Sequence, residues 1–367
     1  MNDLSENLKL NPKGSKIEDL RTEVKNGNVD QLFSLIRDYQ YPSDLMSTSR
    51  IQSWLNQFND SDQQILLDEL NFILPKRYFS FDQTKFTLIS LFISTSEKYG
   101  YSNPVDFFDH SLFIESQPVH KSQRFLINII QNWFIEEYST DIRNRPKKQI
   151  RYFLYIDDFL FTGYSFYRDI SNFVTDKRIS FDRMFENGQK LITMFLAVHT
   201  LGVGKVLRRI KYNSINNPSH MIDFIFRDKI ENNLSDPYSQ LNFVLPKRSV
   251  LLPDILCDLF DMPNKNKIYF RPEDHPIEET FFSSPLNRDL FEKIIFEKSF
   301  ELYQTSKEKY NFRNRPLGCG LVSENPIGFG GLNITFRNVP LTTPLVFWFQ
   351  SQDWLPLFER KLTTSLI

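Results

Sequence analysis

The chain has 367 residues, 41% of them hydrophobic and 24% charged, with a formal net charge of −1. That is material for one large or two smaller packed domains, and near-neutrality excludes a global basic field that would hold nucleic acid anywhere on the surface. Cys257 and Cys319 stand far apart, which excludes a disulfide framework or a cysteine zinc knuckle and suits a reducing compartment, so a cytoplasmic protein is expected.

Residues 1–15 are polar, carry no signal-peptide core and read as a disordered tail. Nowhere does an uninterrupted apolar run approach the length of a membrane span, so no membrane partner is expected. Phe occurs 36 times and Ala197 is the sole alanine. Codon bias in an AT-rich genome accounts for both, so the phenylalanines mark core rather than a platform for stacked bases.

Residues 16–104 form an expected helical region. "IEDLRTEVKNGNVDQLFSLIRDY", "SRIQSWLNQFND", "DQQILLDELNFIL" and "TKFTLISLFISTSEKYG" each repeat apolar residues at i, i+3, i+4. Asp60 or Ser61 suits a helix cap, and Gly100 suits a helix stop. Residues 105–212 read as a parallel-sheet core. A short strand is expected within 106–116, then the amphipathic helix "RFLINIIQNWFIEEY", a basic connector "DIRNRPKKQIR" and the strand "YFLYI". An interrupted helix follows, then the buried strand "KLITMFLAVHT" and a helix through "GVGKVLRRIK". Strand and helix alternate as they do in a parallel sheet with covered faces. Residues 213–367 read as an α+β elaboration. It has short strands in "HMIDFIFRDKI", "LNFVLP", "KIYFRP" and "GLNITFRN", and a long helix in "FEKIIFEKSFELYQTSKEKYN". The expected fold class is therefore α/β.

The stretch "FLYIDDFLFTGYSF", Phe153 to Phe166, breaks a hydrophobic strand on two adjacent acids. A template-copying polymerase uses Tyr-x-Asp-Asp in this way. It also needs a third upstream carboxylate and usually a glycine-bearing grip, and no glycine lies between Gly100 and Gly163. A ribose-phosphate binder uses more of the string. Asp157 and Asp158, delivered at a strand end, accept hydrogen bonds from two neighbouring ribose hydroxyls. A turn through Thr162, Gly163, Tyr164 and Ser165 then opens a helix whose backbone N–H groups and hydroxyls suit a phosphate dianion. Gly163 lets the backbone approach that phosphate.

In order and spacing this stretch resembles the phosphoribosyl-pyrophosphate motif of type I phosphoribosyltransferases. The resemblance implies that Asp157 and Asp158, the expected catalytic pair, sit on the ribose and that Thr162–Ser165 hold the 5-phosphate. Mg²⁺ would accompany phosphoribosyl pyrophosphate. Further on, Pro340, Thr343, Pro344, Trp348, Trp354, Pro356, Leu357, Phe358 and Arg360 resemble the C-terminal signature of a phosphoribosyltransferase-like family of bacterial conflict systems. Lys121 and Ser122 stand where such proteins carry a Lys-Ser-Gly segment, the position of the pyrophosphate loop. Some members are encoded beside retron reverse transcriptases. The resemblance implies an anti-phage effector that binds phosphoribosyl pyrophosphate or a nucleotide. Its alternative is a silent subunit of a reverse transcriptase and its DNA–RNA product, gripped through Arg143, Arg145, Lys147 and Lys148. The histidines show no metal-ligand spacing, so no protein metal site is expected. Trp348 and Trp354 read as core packing.

Overall fold

The computed structural model describes residues 28–40, 45–118, 121–176, 187–212, 220–260, 262, 265–306, 314–320 and 325–361. The tail expected over 1–15, the start of the first expected helix and the later part of the interrupted helix lie outside them. Eleven α-helices and six strands are formed among the described residues. They gather into two compact units, one built from Asp82–Lys229 and the other from Leu20–Phe81 with Ile230–Ile367. Residues 82–104, expected with the N-terminal helices, and 220–229, expected with the elaboration, are thus part of the sheet unit. The helices before Phe81 group with the C-terminal part.

The sheet unit holds α4 (Phe81–Lys98, joining at Asp82), α5 (Pro104–Asp109), β2 (Ser111–Phe113), α6 (Ser122–Tyr138) and β3 (Tyr152–Leu160). After them come α7 (Tyr164–Asp176), β4 (Lys190–His199), α8 (Thr200–Tyr212) and β5 (Ile222–Ile230, ending at the unit boundary). Four parallel strands lie in the order β2-β3-β4-β5. Their register sets Ser111 beside Tyr152, Tyr152 beside Lys190 and Asp157 beside Phe195. The central strands β3 and β4 are near-continuous apolar runs because both their faces are covered. Strand β5 alternates buried and half-buried residues, as a strand at the sheet's edge does. Phe166, Ile170 and Phe173 of α7 and Val203, Val206 and Ile210 of α8 share one core with Phe153, Tyr155, Leu191 and Phe195. Each such side chain contributes about 1.5–3 kcal/mol of burial. A second aromatic group joins α4, α5 and α6, where Phe92 meets Phe107, Trp133 and Phe134 edge-on.

The second unit holds α1 (Val29–Ile36), α2 (Thr48–Leu55), α3 (Asp60–Arg77), β1 (Tyr78–Phe79), α9 (Pro253–Phe260), α10 (Pro285–Thr305), β6 (Ile334–Thr335) and α11 (Leu345–Trp348). Strands β1 and β6 form a two-residue parallel pair. The strand expected in "GLNITFRN" is reduced to those two residues. "LNFVLP" and "KIYFRP" form no strand; Arg271 of the second donates from its backbone N–H to the Pro246 carbonyl, beside an isolated bridge to Lys247. Side chains explain why: the segment's polar backbone groups are taken by buried charges instead of a ladder. The Arg288 Nη2 group donates to the carbonyls of Leu241 (2.7 Å) and Phe243 (3.2 Å), and the Leu245 N–H donates to Glu292 (3.1 Å). Around these lie Arg271, Arg288 and Lys247 against Glu279, Asp289 and Glu292, a compensated set with Arg288 and Glu292 fully buried.

Candidate functional site

Strand β3 does not stop at Ile156 as the sequence suggests. It runs through both acids to Leu160, because Phe159 and Leu160 continue the ladder against Ala197 and Val198. Successive side chains of a strand point to opposite faces, so the two carboxylates part company.

Asp157 turns toward α7 and is only 7% exposed. One of its oxygens accepts from Ser122 Oγ at 2.6 Å and from the Asp158 N–H at 3.0 Å. The other accepts from Gln117 Nε2 at 2.7 Å and from the Tyr155 hydroxyl at 3.1 Å. Gln117 and Tyr155 also reach Asp169 of α7, at 2.9 and 3.0 Å. Arg168 binds the other oxygen of Asp169. Burial, with the Asp169 charge in addition, pushes the Asp157 carboxyl above the ordinary range, and the hydrogen bonds from Ser122, Gln117 and the Asp158 N–H oppose that rise only in part. Asp158 stands differently. It is half-buried, and its Oδ1 accepts from the Phe159 N–H at 2.8 Å.

Beyond Leu160 the chain turns through Thr162–Ser165 into α7. Gly163 has φ +73°, in the left-handed region that favours glycine. A Cβ there would also run into Val206 Cγ2 and the Gly202 carbonyl of α8. Its carbonyl accepts from the Tyr167 N–H at 3.0 Å, closing the first turn of α7. Thr162 Oγ1 accepts weakly from the Tyr164 N–H at 3.3 Å. Tyr164 and Ser165 are exposed, and Thr162 is half-buried. The loop therefore presents hydroxyls and the amino end of a 13-residue helix at the carboxyl edge of the sheet. That edge is where ligands of α/β sheets bind. The Arg209 guanidinium lies 4.6 Å from the Tyr167 ring centre and 5.9 Å from that of Tyr164.

Lys121 and Ser122 open α6 at the same edge, and Ser122 is tied to Asp157. Gln123, standing where the resemblance has glycine, is fully buried. Its Oε1 accepts from the backbone N–H groups of Ser116 and Gln117, both at 3.1 Å. It holds the turn that delivers Gln117 to Asp157. The basic connector is drawn onto α5 at Arg145 and Lys147, while Arg143 and Lys148 stay exposed. Arg145 grips Asp109 through two nitrogens, and Lys148 lies 3.3 Å from the same carboxylate. Lys147 donates to the Phe108 carbonyl at 3.0 Å above that residue's ring. Arg143 reaches Asn128. Among the described residues no group of three His, Cys, Asp or Glu could hold a metal ion. No helix among them is long and apolar enough to cross a membrane.

The sequence did not single out Gln117, Tyr155 or Asp169. One of them left a signal: Asp169 lies on the buried stripe of α7, between Phe166 and Ile170 and Phe173. A carboxylate on an apolar stripe needs a buried partner.

A family model, PRTase-CE, matches residues 51–360. The chain belongs to the PRTase-CE family. Membership makes the protein phosphoribosyltransferase-like, and the α/β sheet unit agrees with such a core. No curated protein and no solved structure matches the chain. The match spans residues of both units, including the C-terminal signature of the PRTase-CE protein. That signature is packed into the second unit. The Trp348 indole donates to the Thr343 carbonyl at 2.7 Å, and Trp354 and Trp54 both donate to the Val346 carbonyl, at 3.0 and 3.1 Å. Arg360 Nε donates to the Val339 carbonyl at 3.3 Å.

Proposed function

We propose that this PRTase-CE protein binds phosphoribosyl pyrophosphate or a related nucleotide at the carboxyl edge of its sheet and transfers the ribosyl group. The observation that carries the reading is the Thr162–Ser165 loop at the start of α7, with Tyr164 and Ser165 exposed, directly downstream of the half-buried Asp158. The loop suits the 5-phosphate, with backbone N–H groups and hydroxyls as donors. Asp158 suits a ribose hydroxyl, and Lys121 at the start of α6 suits pyrophosphate. In the transfer, the bond from C1 to pyrophosphate breaks as the acceptor's nucleophile bonds to C1. Positive charge develops on the ribose, as in glycoside chemistry. The protein's share is positioning and electrostatics. Mg²⁺ belongs to the substrate in this scheme, carried by pyrophosphate oxygens, as that ion usually is when the protein supplies few carboxylates.

Calorimetry with phosphoribosyl pyrophosphate, ribose 5-phosphate and common nucleotides, each with Mg²⁺, tests the site. Micromolar binding that Asp158→Asn weakens at least tenfold is expected. One charge-assisted hydrogen bond contributes about 1.5–3 kcal/mol. Silence across the panel would overturn the reading. An effector role in anti-phage defence, restrained by a reverse transcriptase, rests on the C-terminal signature and is tested by co-purification from the native operon. The connector gives little support to a nucleic-acid grip, since Arg145 and Lys148 already face Asp109.

A further inference from the structure

We infer that Asp157 is a positioning residue that fastens the entry of α6 to the sheet, so that the adjacent acids divide their roles and Asp158 alone meets the ligand. The inference rests on the ribose-phosphate reading of the loop for Asp158, and on the hydrogen-bond network alone for Asp157.

Four donor groups converge on the Asp157 carboxylate: Ser122 Oγ, the Asp158 N–H, Gln117 Nε2 and the Tyr155 hydroxyl, whose single hydrogen is shared with Asp169. A ribose hydroxyl would have to displace one of them inside a nearly closed site. The donors are themselves held. Gln123, with no exposure of its own, pins the backbone N–H groups of residues 116 and 117. Gln117 divides its amide among Asp157, Asp169 and the Tyr155 oxygen. Ser122 is the first residue of α6. One carboxylate thus joins the turn before α6, the first turn of α6 and strand β3, and Gln117 and Tyr155 carry the link on to Asp169 of helix α7. All of these meet at the edge where the following loop opens. Sheet topology brings Lys121 there too, so the position of the expected pyrophosphate contact is set through Asp157.

The charge arrangement makes the role measurable. The groups facing Asp157 are Asp169, whose far oxygen is paired with the exposed Arg168, and Tyr155, with neutral Gln117 and Ser122. Two carboxylates therefore share one amide and one hydroxyl. A proton on Asp157, or an amide in its place, adds a donor to a network short of them. The raised Asp157 pKa agrees. Stability from this group is complete below the ordinary carboxylate value of about 3.8 and is lost as pH rises through the higher folded value.

The test uses the full chain and its Asp157→Asn, Asp157→Ala and Asp158→Asn variants. Thermal midpoints are taken from pH 4 to 8 without ligand, and affinities for phosphoribosyl pyrophosphate with Mg²⁺ at pH 7.5. Asp157→Asn should gain on wild type as pH rises, and Asp157→Ala should fall below both throughout. Asp158→Asn should run parallel to wild type. In binding, Asp158→Asn should lose at least tenfold and Asp157→Asn clearly less. Equal losses from the two Asn variants, or an Asp157→Asn midpoint that tracks wild type across the pH range, would overturn the inference. If wild type does not bind the ligand at all, the ribose reading fails, and the ligand-free midpoints still decide whether Asp157 anchors the network.

Discussion

Gly163 answers to two demands at once: a left-handed backbone and a close approach by α8. The second demand is reciprocal, since a Cβ on Gly202 would strike the Phe161 carbonyl. Gly163→Ala should lower the unfolding free energy by about 2–4 kcal/mol, combining the left-handed penalty with overpacking. A urea titration reads this as a lower midpoint at unchanged slope. An unmoved midpoint would mean that the turn relaxes away from Val206. From the sequence, glycine here suggested room for a phosphate; the neighbouring helix supplies a further reason that no local pattern contains. Asp157 was likewise legible as important, and its burial was not. Which donors surround a carboxylate depends on residues such as Gln117, 40 positions away.

Between α6 and β3, a run of cations becomes a structural strap. The Arg145 guanidinium, and Lys148 after it, hold the Asp109 carboxyl below its ordinary value. A depressed acid contributes stability above its unfolded pKa and loses it as pH falls through the folded one. Asp109→Asn should therefore cost about 1–3 kcal/mol at neutral pH. The difference from wild type should begin to shrink below the ordinary value of about 3.8 and vanish only once pH falls past the lowered folded value. Paired denaturant titrations at pH 7 and pH 3 check both halves. Lys147 gives a slope of the same sign in a higher pH window. Burial pulls its amine down to about 7 from 10.5, with Asp109 opposing the shift. The fold thus binds fewer protons than the unfolded chain between those values, and stability should rise with pH across them. Lys147→Met should remove that rise in thermal midpoints taken from pH 6.5 to 10. Charge patterning alone exposed the cations, but their acidic partners sit on α5, before the whole of α6.

At the scale of the molecule, the second unit rests on a core that joins distant parts of the chain. Trp54 of α2 stacks on Phe347 of α11, and Tyr39 meets Phe358. Arg50 donates to the carbonyls of Pro356 and Leu357, at 2.9 and 3.0 Å. Its polar centre is Glu292, fully buried between Arg271 and Arg288. Glu292→Gln would leave two guanidiniums undercompensated and should cost about 3–5 kcal/mol, the usual loss when one member of a buried ion set is removed. Chemical denaturation followed by tryptophan fluorescence reads this unit well, because three of the four tryptophans, Trp54, Trp348 and Trp354, lie in it. A loss under 1 kcal/mol would mean that water reaches the cluster.

The sequence by itself determined the alternation of strands and helices in the sheet unit, the helical character of residues 48–98 and the loop that opens α7. These follow from apolar periodicity and turn chemistry, which act over a few residues. It also indicated that Trp348 and Trp354 pack, since large aromatic runs near a chain's end are more often core than contact. Tertiary structure alone decided that Asp157 is buried while Asp158 is half-exposed, that the connector's cations face Asp109, and that residues 28–40 and 45–81 share a unit with the C-terminal third. Each of these is a pairing of charges, donors or rings across long stretches of chain. Such pairings are set by which surfaces the fold brings within hydrogen-bond reach, and the energy of a buried charge depends on that neighbourhood, not on its place in the sequence.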